Sequence, residues 1–247
     1  MGFAVIFFAF AALFTWAAVA LQSHSSLPSL LAAAVFYQAA LAELIMCLLY
    51  LSASLFKINP GRLFKTPQGK LKMVPRFFTW PYLFFEFTGW RRYRKDAREP
   101  LFEEVRPGLF LGARIIEADL PALESAGISA VLDLVGEFKA PAAVRGPAYI
   151  YAAIPTLDGT SPTLPELELG ARFIKEALAA GRKILVHCTF GHGRSAAMVV
   201  AALLLMGEAP TVEDAFGILR KLKRRIWLSR EQKRMLRLFS ENMRRAS

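Results

Sequence analysis

The sequence predicts an α/β domain preceded by a hairpin of two transmembrane helices, and two observations lead to this fold class. The mean hydropathy of +0.36 is high for a chain of 247 residues, yet residues 1–56 contain no Lys or Arg and a single acid, Glu43. Residues 101–247 instead alternate short apolar runs with helical patterns, which is typical of a mainly parallel sheet flanked by helices. The apolar excess is therefore confined to one end of the chain.

Two N-terminal segments, 2–21 and 30–56, are each long enough to cross a hydrocarbon layer of ~30 Å as a helix. A buried hairpin in a soluble protein is the alternative. A cleaved signal peptide is a second alternative for residues 1–21, because Ala18-Val19-Ala20 resembles a cleavage site, although no charged residue precedes it. Basic residues follow the second segment closely, so the positive-inside rule predicts that the chain after residue 57 is cytoplasmic.

The net charge of +11 is unevenly distributed: it is −1 in residues 1–56, +8 in 57–100, −5 in 101–217 and +9 in 218–247. The acidic middle block argues against nucleic acid as a partner, whereas a basic segment beside an apolar hairpin favours a membrane with anionic lipid. Aromatic residues also crowd into this segment, and they suit either the headgroup layer or packing on the following domain. We therefore predict a membrane hairpin (1–56), an interfacial connector (57–100) and a compact α/β domain (101–247).

Within the domain, apolar runs predict five strands at 102–105, 109–111, 130–134, 149–154 and 183–187. Arg106-Pro107-Gly108 forms the turn between the first two strands. Helical spacing predicts helices at 118–126, 164–180 and 194–206, a fourth from the cap Thr211 to about residue 225, and a basic helix after Ser229.

The loop from Cys188 to Gly193 joins an apolar strand to an apolar helix and carries the candidate chemistry. A loop that enters a helix N-terminus directs backbone N–H groups at one point and forms an anion site, for which phosphate is the natural occupant. The same positive field favours the thiolate of Cys188, and the guanidinium of Arg194 can donate two hydrogen bonds to phosphate oxygens. The only other cysteine, Cys47, lies in the membrane region, so no disulfide is expected and a reducing compartment fits.

Other interpretations of this loop fit less well. A nucleotide phosphate loop would have Gly in place of Cys188 and Lys in place of Arg194. A metal site would lack ligands, because the remaining Cys and His residues, Cys47 and His24, lie in the membrane region. An inert buried cysteine would not explain the Arg and Ser in register with it. We therefore expect neither a metal nor a cofactor.

The run His187-Cys188-x5-Arg194-Ser195 resembles the active-site loop of the cysteine-based protein tyrosine phosphatase superfamily, and residues 101–247 are similar in layout to its dual-specificity branch. The resemblance implies that Cys188 attacks phosphorus to form phosphocysteine and that Arg194 clamps the phosphoryl group. Ser195 would then hydrogen-bond the sulfur and ease its departure, while His187 would hold the loop and lower the thiol pKa. The intervening residues would bind the phosphate: Thr189, Phe190, Gly191, His192 and Gly193.

The resemblance also implies a general acid on a separate loop about thirty residues earlier. Asp158, which follows a predicted strand and lies 30 positions before Cys188, fits this place. An Asp before Gly is also a common turn residue, and Asp133 is a competing candidate whose position within an apolar strand favours a structural role.

The expected substrate is a phosphorylated lipid headgroup, with phosphotyrosine, phosphoserine or phosphothreonine of membrane-associated proteins as the alternative. Inositide-selective relatives usually carry lysines inside the loop, where this chain has Thr189 and His192. The stretch 135–138, with Glu137, and the Asp158 loop are similar to the branch that dephosphorylates phosphatidylglycerophosphate. The sequence gives no prediction of oligomeric state.

Overall fold

The computed structural model describes residues 2–24, 26–96 and 98–246. Its N-terminal part is a hairpin of two antiparallel helices, α1 (Gly2–Gln22) and α2 (Leu27–Phe56). At one end the rings of Phe7 and Tyr50 lie 5.0 Å apart, and at the other the hydroxyl of Tyr37 donates to Gln22 at 3.0 Å. The start of α1 and the end of α2 therefore lie at the same end of the hairpin, and this end is next to the rest of the chain.

Both hairpin helices are long and apolar enough to cross a membrane. Their outer faces expose large apolar side chains, among them Phe8, Trp16 and Leu31, which are 61–71% exposed. Apolar surface of this kind in water marks an interaction site with protein or lipid. The predicted pair of apolar helices is confirmed, and it is consistent with a membrane hairpin.

Residues 57–100, for which the sequence predicted no helix, contain a short 3-10 helix (Pro60–Leu63), α3 (Met73–Phe78) and α4 (Trp80–Asp96). The aromatic side chains of this segment divide between two environments, because Tyr82 and Trp90 are buried whereas Phe84 and Phe85 are each 56% exposed. Their contact with a headgroup layer stays a prediction. The indole of Trp90 stacks under the guanidinium of Arg114 at 4.3 Å. The connector is thus packed on the domain along one face only, and its division from the domain at residue 100 stays a prediction.

The domain contains a five-stranded sheet in the order β1-β2-β5-β3-β4. Its strands are β1 (Phe102–Arg106), β2 (Leu109–Gly112), β3 (Ile128–Val135), β4 (Ile150–Thr156) and β5 (Lys183–His187). The β1–β2 pair is antiparallel and the other pairs are parallel. Since parallel strands end at a common edge, β3, β4 and β5 deliver the residues that follow them to one place, as the predicted fold class requires.

Helices cover the sheet: α5 (Leu120–Ser125), α6 (Leu164–Ala179), α7 (Arg194–Leu205), α8 (Val212–Leu219) and α9 (Arg230–Ala246). Helix α7 is central, and from Arg194 to Leu204 every residue is buried. The strands and α6, α7 and α9 agree with prediction to within about two residues, which is the usual uncertainty of helix and strand ends.

One helix boundary was predicted wrongly. The helix expected to run from Thr211 to about residue 225 ends at Leu219. The backbone N–H groups of Lys223 and Arg224 donate to the carboxylate of Glu103, and the buried guanidinium of Arg224 donates to the carbonyl of Leu101. These contacts with β1 and the chain before it replace the helical hydrogen bonds of this segment.

Candidate active site

The sulfur of Cys188 lies at the end of β5, in the loop that leads into α7. It accepts hydrogen bonds from the backbone N–H of Gly191 at 3.3 Å and from the hydroxyl of Ser195 at 3.2 Å. Burial by itself raises the pKa of the Cys188 thiol, but the positive charge of Arg194 and hydrogen bonds from Ser195 outweigh it, so the pKa lies below its usual value. The loop therefore favours a thiolate nucleophile.

The loop can approach the sheet closely because Gly191 lies in the left-handed region, with φ of +79°. A Cβ atom at this position would lie 2.7 Å from the carbonyl oxygen of Gly112. Any side chain would displace the loop from β2 and from the sulfur to which Gly191 donates. This glycine is therefore required by both space and backbone conformation.

The guanidinium of Arg194 is 1% exposed and its position is fixed by four groups. Nη1 donates to Glu137 at 3.0 Å and to the carbonyl of Thr156 at 2.6 Å. Nη2 donates to the hydroxyl of Thr189 at 2.7 Å and lies 3.0 Å from a carboxylate oxygen of Asp158. The side chain of Thr189 is thus buried and holds Arg194, so only its backbone remains as the predicted phosphate contact.

Asp158 lies on the loop after β4, where the sequence placed the general acid. Its carboxylate is 36% exposed and meets Arg194, while its backbone N–H donates to Glu137 at 2.7 Å. The structure brings Asp158, Arg194 and Cys188 to one pocket. Glu137 is fully buried beside them and holds Arg194 and the Asp158 loop, which is a positioning role the sequence did not specify.

Asp133, the competing candidate for the acid, belongs to a buried structural cluster. It accepts from Lys65 at 2.6 Å and from the hydroxyl of Tyr151 at 2.7 Å. Burial alone raises the pKa of Asp133, but the charge of Lys65 outweighs it, and Asp133 stays ionised with a lowered pKa. Lys65 itself is fully buried, although it belongs to the basic segment 57–100 that the sequence predicts to lie at the membrane surface.

His187 lies next to Asp133, with 3.8 Å between its Nε2 and the carboxylate. Burial lowers the pKa of this histidine, so its ring is neutral at pH 7 and supplies no positive charge to the neighbouring thiol. The structure favours a packing role for His187, and its effect on the thiol pKa stays a prediction.

His192 extends from the loop toward the connector. Its Nε2 lies 2.7 Å from Glu99 and 3.1 Å from the hydroxyl of Tyr93, which is on α4. The ring of Phe190 packs on Tyr93 with 5.1 Å between centroids. Phe190 and His192, which the resemblance implied as phosphate-binding residues, thus attach the connector to the active-site loop.

The pocket around the sulfur is a cavity of about 180 Å³. Its walls comprise Phe3, Asp158, Gly159, Cys188, Phe190, His192, Gly193, Arg194, Trp227 and Gln232. Sequence reasoning missed Phe3, Trp227 and Gln232, because each comes from a segment distant from the loop and carries no local motif. Among the described residues, no group of three or more His, Cys, Asp or Glu side chains is placed to hold a metal ion.

A further carboxyl group near the pocket was also missed. Glu86 of α4 has its pKa raised to about 8 by burial and by the negative charges of Glu137 and Asp158. Both effects favour the neutral form of Glu86, which adds no negative charge to the carboxylates already facing Arg194.

Comparison with known proteins identifies the family. Residues 109–242 match the family model of the dual specificity phosphatase catalytic domain, which is more than half of the chain. The chain belongs to the dual specificity phosphatase family. This confirms the resemblance carried by His187, Cys188, Arg194 and Ser195.

Two relatives illustrate the range of this family. The chain is 40% identical over 123 residues to dual specificity protein phosphatase 12 of Mus musculus, which covers 49% of this chain but only 35% of that protein. It is 26% identical over 193 residues to the phosphatidylglycerophosphate phosphatase PTPMT2 of Arabidopsis thaliana, covering 74% of this chain and 81% of that protein. The second alignment covers a larger part of the chain than residues 101–247 represent, so it must include part of the connector (57–100).

Two solved structures share the fold of the domain. A crystal structure of PTPMT1 in complex with PI(5)P superposes with a TM-score of 0.55 at 23% identity, covering 60% of this chain and 100% of that one. A crystal structure of human DUSP28 gives a TM-score of 0.51 at 23% identity, covering 59% and 96%. The predicted fold of the domain is confirmed.

Proposed function

We propose that this protein is a membrane-anchored phosphatase that hydrolyses phosphate monoesters through a phosphocysteine intermediate. The observation that carries the proposal is the shared pocket of Cys188, Arg194 and Asp158, which supply a nucleophile, a cation and a proton donor. Family membership supports the reaction class.

In the first step the thiolate of Cys188 attacks phosphorus, and the bond between phosphorus and the ester oxygen breaks. Asp158 donates a proton to the leaving oxygen, and Arg194 stabilises the charge on the transferring phosphoryl group. A thiolate already favoured by its surroundings needs no separate base.

In the second step a water molecule attacks the phosphocysteine, Asp158 accepts its proton, and the sulfur–phosphorus bond breaks. The hydroxyl of Ser195, 3.2 Å from the sulfur, stabilises the returning thiolate. Inorganic phosphate leaves and both side chains return to their initial protonation states.

The hairpin is the proposed membrane anchor, with the domain on the cytoplasmic side. Its exposed apolar faces support insertion, and Lys57, directly after α2, supports a cytoplasmic position for that end. The exposed rings of α4 and the net charge of +8 in residues 57–100 support contact with anionic lipid headgroups.

A phosphorylated lipid headgroup is the proposed substrate. The pocket lies against the end of the hairpin, where Phe3 of α1 forms part of its wall, so the catalytic sulfur is held near the membrane surface. The alignment with a phosphatidylglycerophosphate phosphatase, which extends into the connector, supports the same class of substrate.

A phosphoprotein substrate is the second candidate, because a relative at 40% identity is a dual specificity protein phosphatase. The deciding experiment measures phosphate release by the full-length protein from phosphatidylglycerophosphate vesicles and from a phosphotyrosine peptide, with Cys188→Ser as the blank. Higher kcat/KM on the lipid supports the first proposal, and higher kcat/KM on the peptide supports the second. Release by Cys188→Ser equal to that of the unchanged protein would overturn the mechanism.

A further inference from the structure

We infer that the N-terminal hairpin is part of the catalytic machinery: Tyr50 of α2, assisted by Phe3 of α1, positions the loop that carries the general acid Asp158. This inference rests on the proposed function, because it assigns a positioning role toward the acid of that reaction. It gives the hairpin a task besides anchoring.

The decisive contact joins the last turns of α2 to the acid loop. The hydroxyl of Tyr50 donates to the backbone carbonyl of Asp158 at 2.5 Å, and the Tyr50 side chain is almost completely buried. Since the backbone N–H of Asp158 donates to Glu137, the polar groups on both sides of the Asp158 Cα are held. The direction of the Asp158 carboxyl group is therefore set by the hairpin on one side and, on the other, by Glu137 in the loop after β3.

Phe3 closes the other side of the same loop. Its ring lies against Gly159, where a Cβ atom would lie 2.4 Å from the ring. Gly159 also has φ of +71°, so both space and conformation require glycine here. The ring of Phe3 is in turn packed on Tyr50, with 5.5 Å between centroids.

The length of α2 explains how a membrane helix reaches an active site. Its 30 residues span about 45 Å at 1.5 Å per residue, which exceeds a hydrocarbon layer of ~30 Å. The final turns, with Met46, Cys47 and Tyr50, instead join a buried cluster that includes Leu157 of the acid loop. Anchor and acid loop are thus one packed unit.

The test compares Tyr50→Phe with Tyr37→Phe in the full-length protein in detergent micelles. Tyr37 is the matched control, because its hydroxyl lies on the same helix but bonds Gln22 at the far end of the hairpin. Each variant is assayed with p-nitrophenyl phosphate, whose leaving group needs little protonation, and with an alkyl phosphate, whose leaving group depends on the acid. We expect Tyr50→Phe to lower kcat/KM for the alkyl phosphate, which reports phosphoryl transfer to Cys188 and not the later hydrolysis of phosphocysteine, about five- to tenfold, which is what the loss of one hydrogen bond corresponds to.

The kcat/KM for the aryl phosphate should change less than twofold with Tyr50→Phe, and Tyr37→Phe should change kcat/KM for neither substrate. An equal fall on both substrates, or no fall on either, overturns the positioning role. If Tyr50→Phe does not fold, as judged by its melting temperature, Phe3→Ala takes its place with the same expected selectivity. Turnover of neither substrate by the unchanged protein would instead count against the proposed function.

Discussion

Nη1 of Arg194 lies 3.0 Å from Oε2 of Glu137, and both side chains are at most 1% exposed. The other oxygen of Glu137 accepts the backbone N–H of Asp158. A single buried carboxylate therefore fixes Arg194, the proposed phosphate-binding group, relative to the loop of Asp158, the proposed general acid. Glu137 follows β3, Arg194 begins α7 and Asp158 follows β4, so this link joins segments of three elements.

Replacing Glu137 by Ala should destabilise the fold strongly, because it leaves the buried charge of Arg194 without its main partner. Breaking a buried ion pair in this way costs about 3–5 kcal/mol, which urea unfolding of the full-length protein in micelles would measure. Glu168→Ala is the control, since Glu168 pairs with Arg172 on the exposed face of α6 and should cost less than about 1 kcal/mol. Equal stability of the two variants would contradict the structural role of Glu137.

Arg194→Lys should lower kcat about 10²- to 10³-fold, the loss typical of removing a preorganised hydrogen-bond donor to the transition state. An ammonium group is a point charge and cannot reproduce the planar fork that now contacts Glu137 and Thr189. Arg172→Lys, on the exposed face of α6, is the control. Activity of Arg194→Lys within tenfold of the unchanged protein would show that the fork is dispensable.

Asp158→Ala should slow alkyl phosphates about 10²- to 10⁴-fold, the usual contribution of a general acid. Aryl phosphates with good leaving groups should be affected far less, because their oxygen leaves without a proton. The measurement is kcat/KM, which reports phosphoryl transfer to Cys188, across a series of leaving groups, and Asp96→Ala, at the exposed end of α4, is the control. Equal slowing of all esters would assign the acid to another group.

The site residues that could be predicted lie close together in the sequence or at a regular spacing from one another. Cys188, Arg194 and Ser195 lie within one short stretch, from the loop after β5 to the first turn of α7, and Asp158 lies 30 positions before Cys188. Phe3 and Tyr50 reach the site by docking of a distant segment, so no local pattern reveals them.

The helices and strands can likewise be divided into those that the sequence predicts and those that it does not. Apolar strands and the amphipathic α6 were evident from their periodicity, whereas α3 and α4 mix aromatic and basic residues without a clear apolar period. The end of α8 depends on Glu103, more than a hundred residues away.

Ser195→Ala should raise the pKa of Cys188, because it removes a hydroxyl that donates to the sulfur. The thiolate is the reactive form, so alkylation slows as the pH falls through the thiol pKa, and the midpoint should move to higher pH in the variant. The rate of alkylation by iodoacetamide as a function of pH measures this in a Cys47→Ser background, where Cys188 is the one thiol. An unshifted midpoint would show that Ser195 does not stabilise the thiolate.

Lys65→Met should destabilise the protein although Lys65 lies outside the residues matched by the family model. Its ammonium group is fully buried and donates to Asp133 and to the carbonyls of Val135 and Phe138. The variant would leave Asp133 charged without its main partner, at a cost of about 3–5 kcal/mol in the free energy of unfolding. Lys70→Met, an exposed lysine of the same connector, should change this free energy by less than about 0.5 kcal/mol. If the two variants unfolded at the same urea concentration, the connector would be an attachment to the domain and not a part of its core. The expected difference in the free energy of unfolding would show that residues 57–100 are part of the core of the domain. It would also connect this segment to the active site, because the loop that Lys65 holds carries the Glu137 that contacts Arg194.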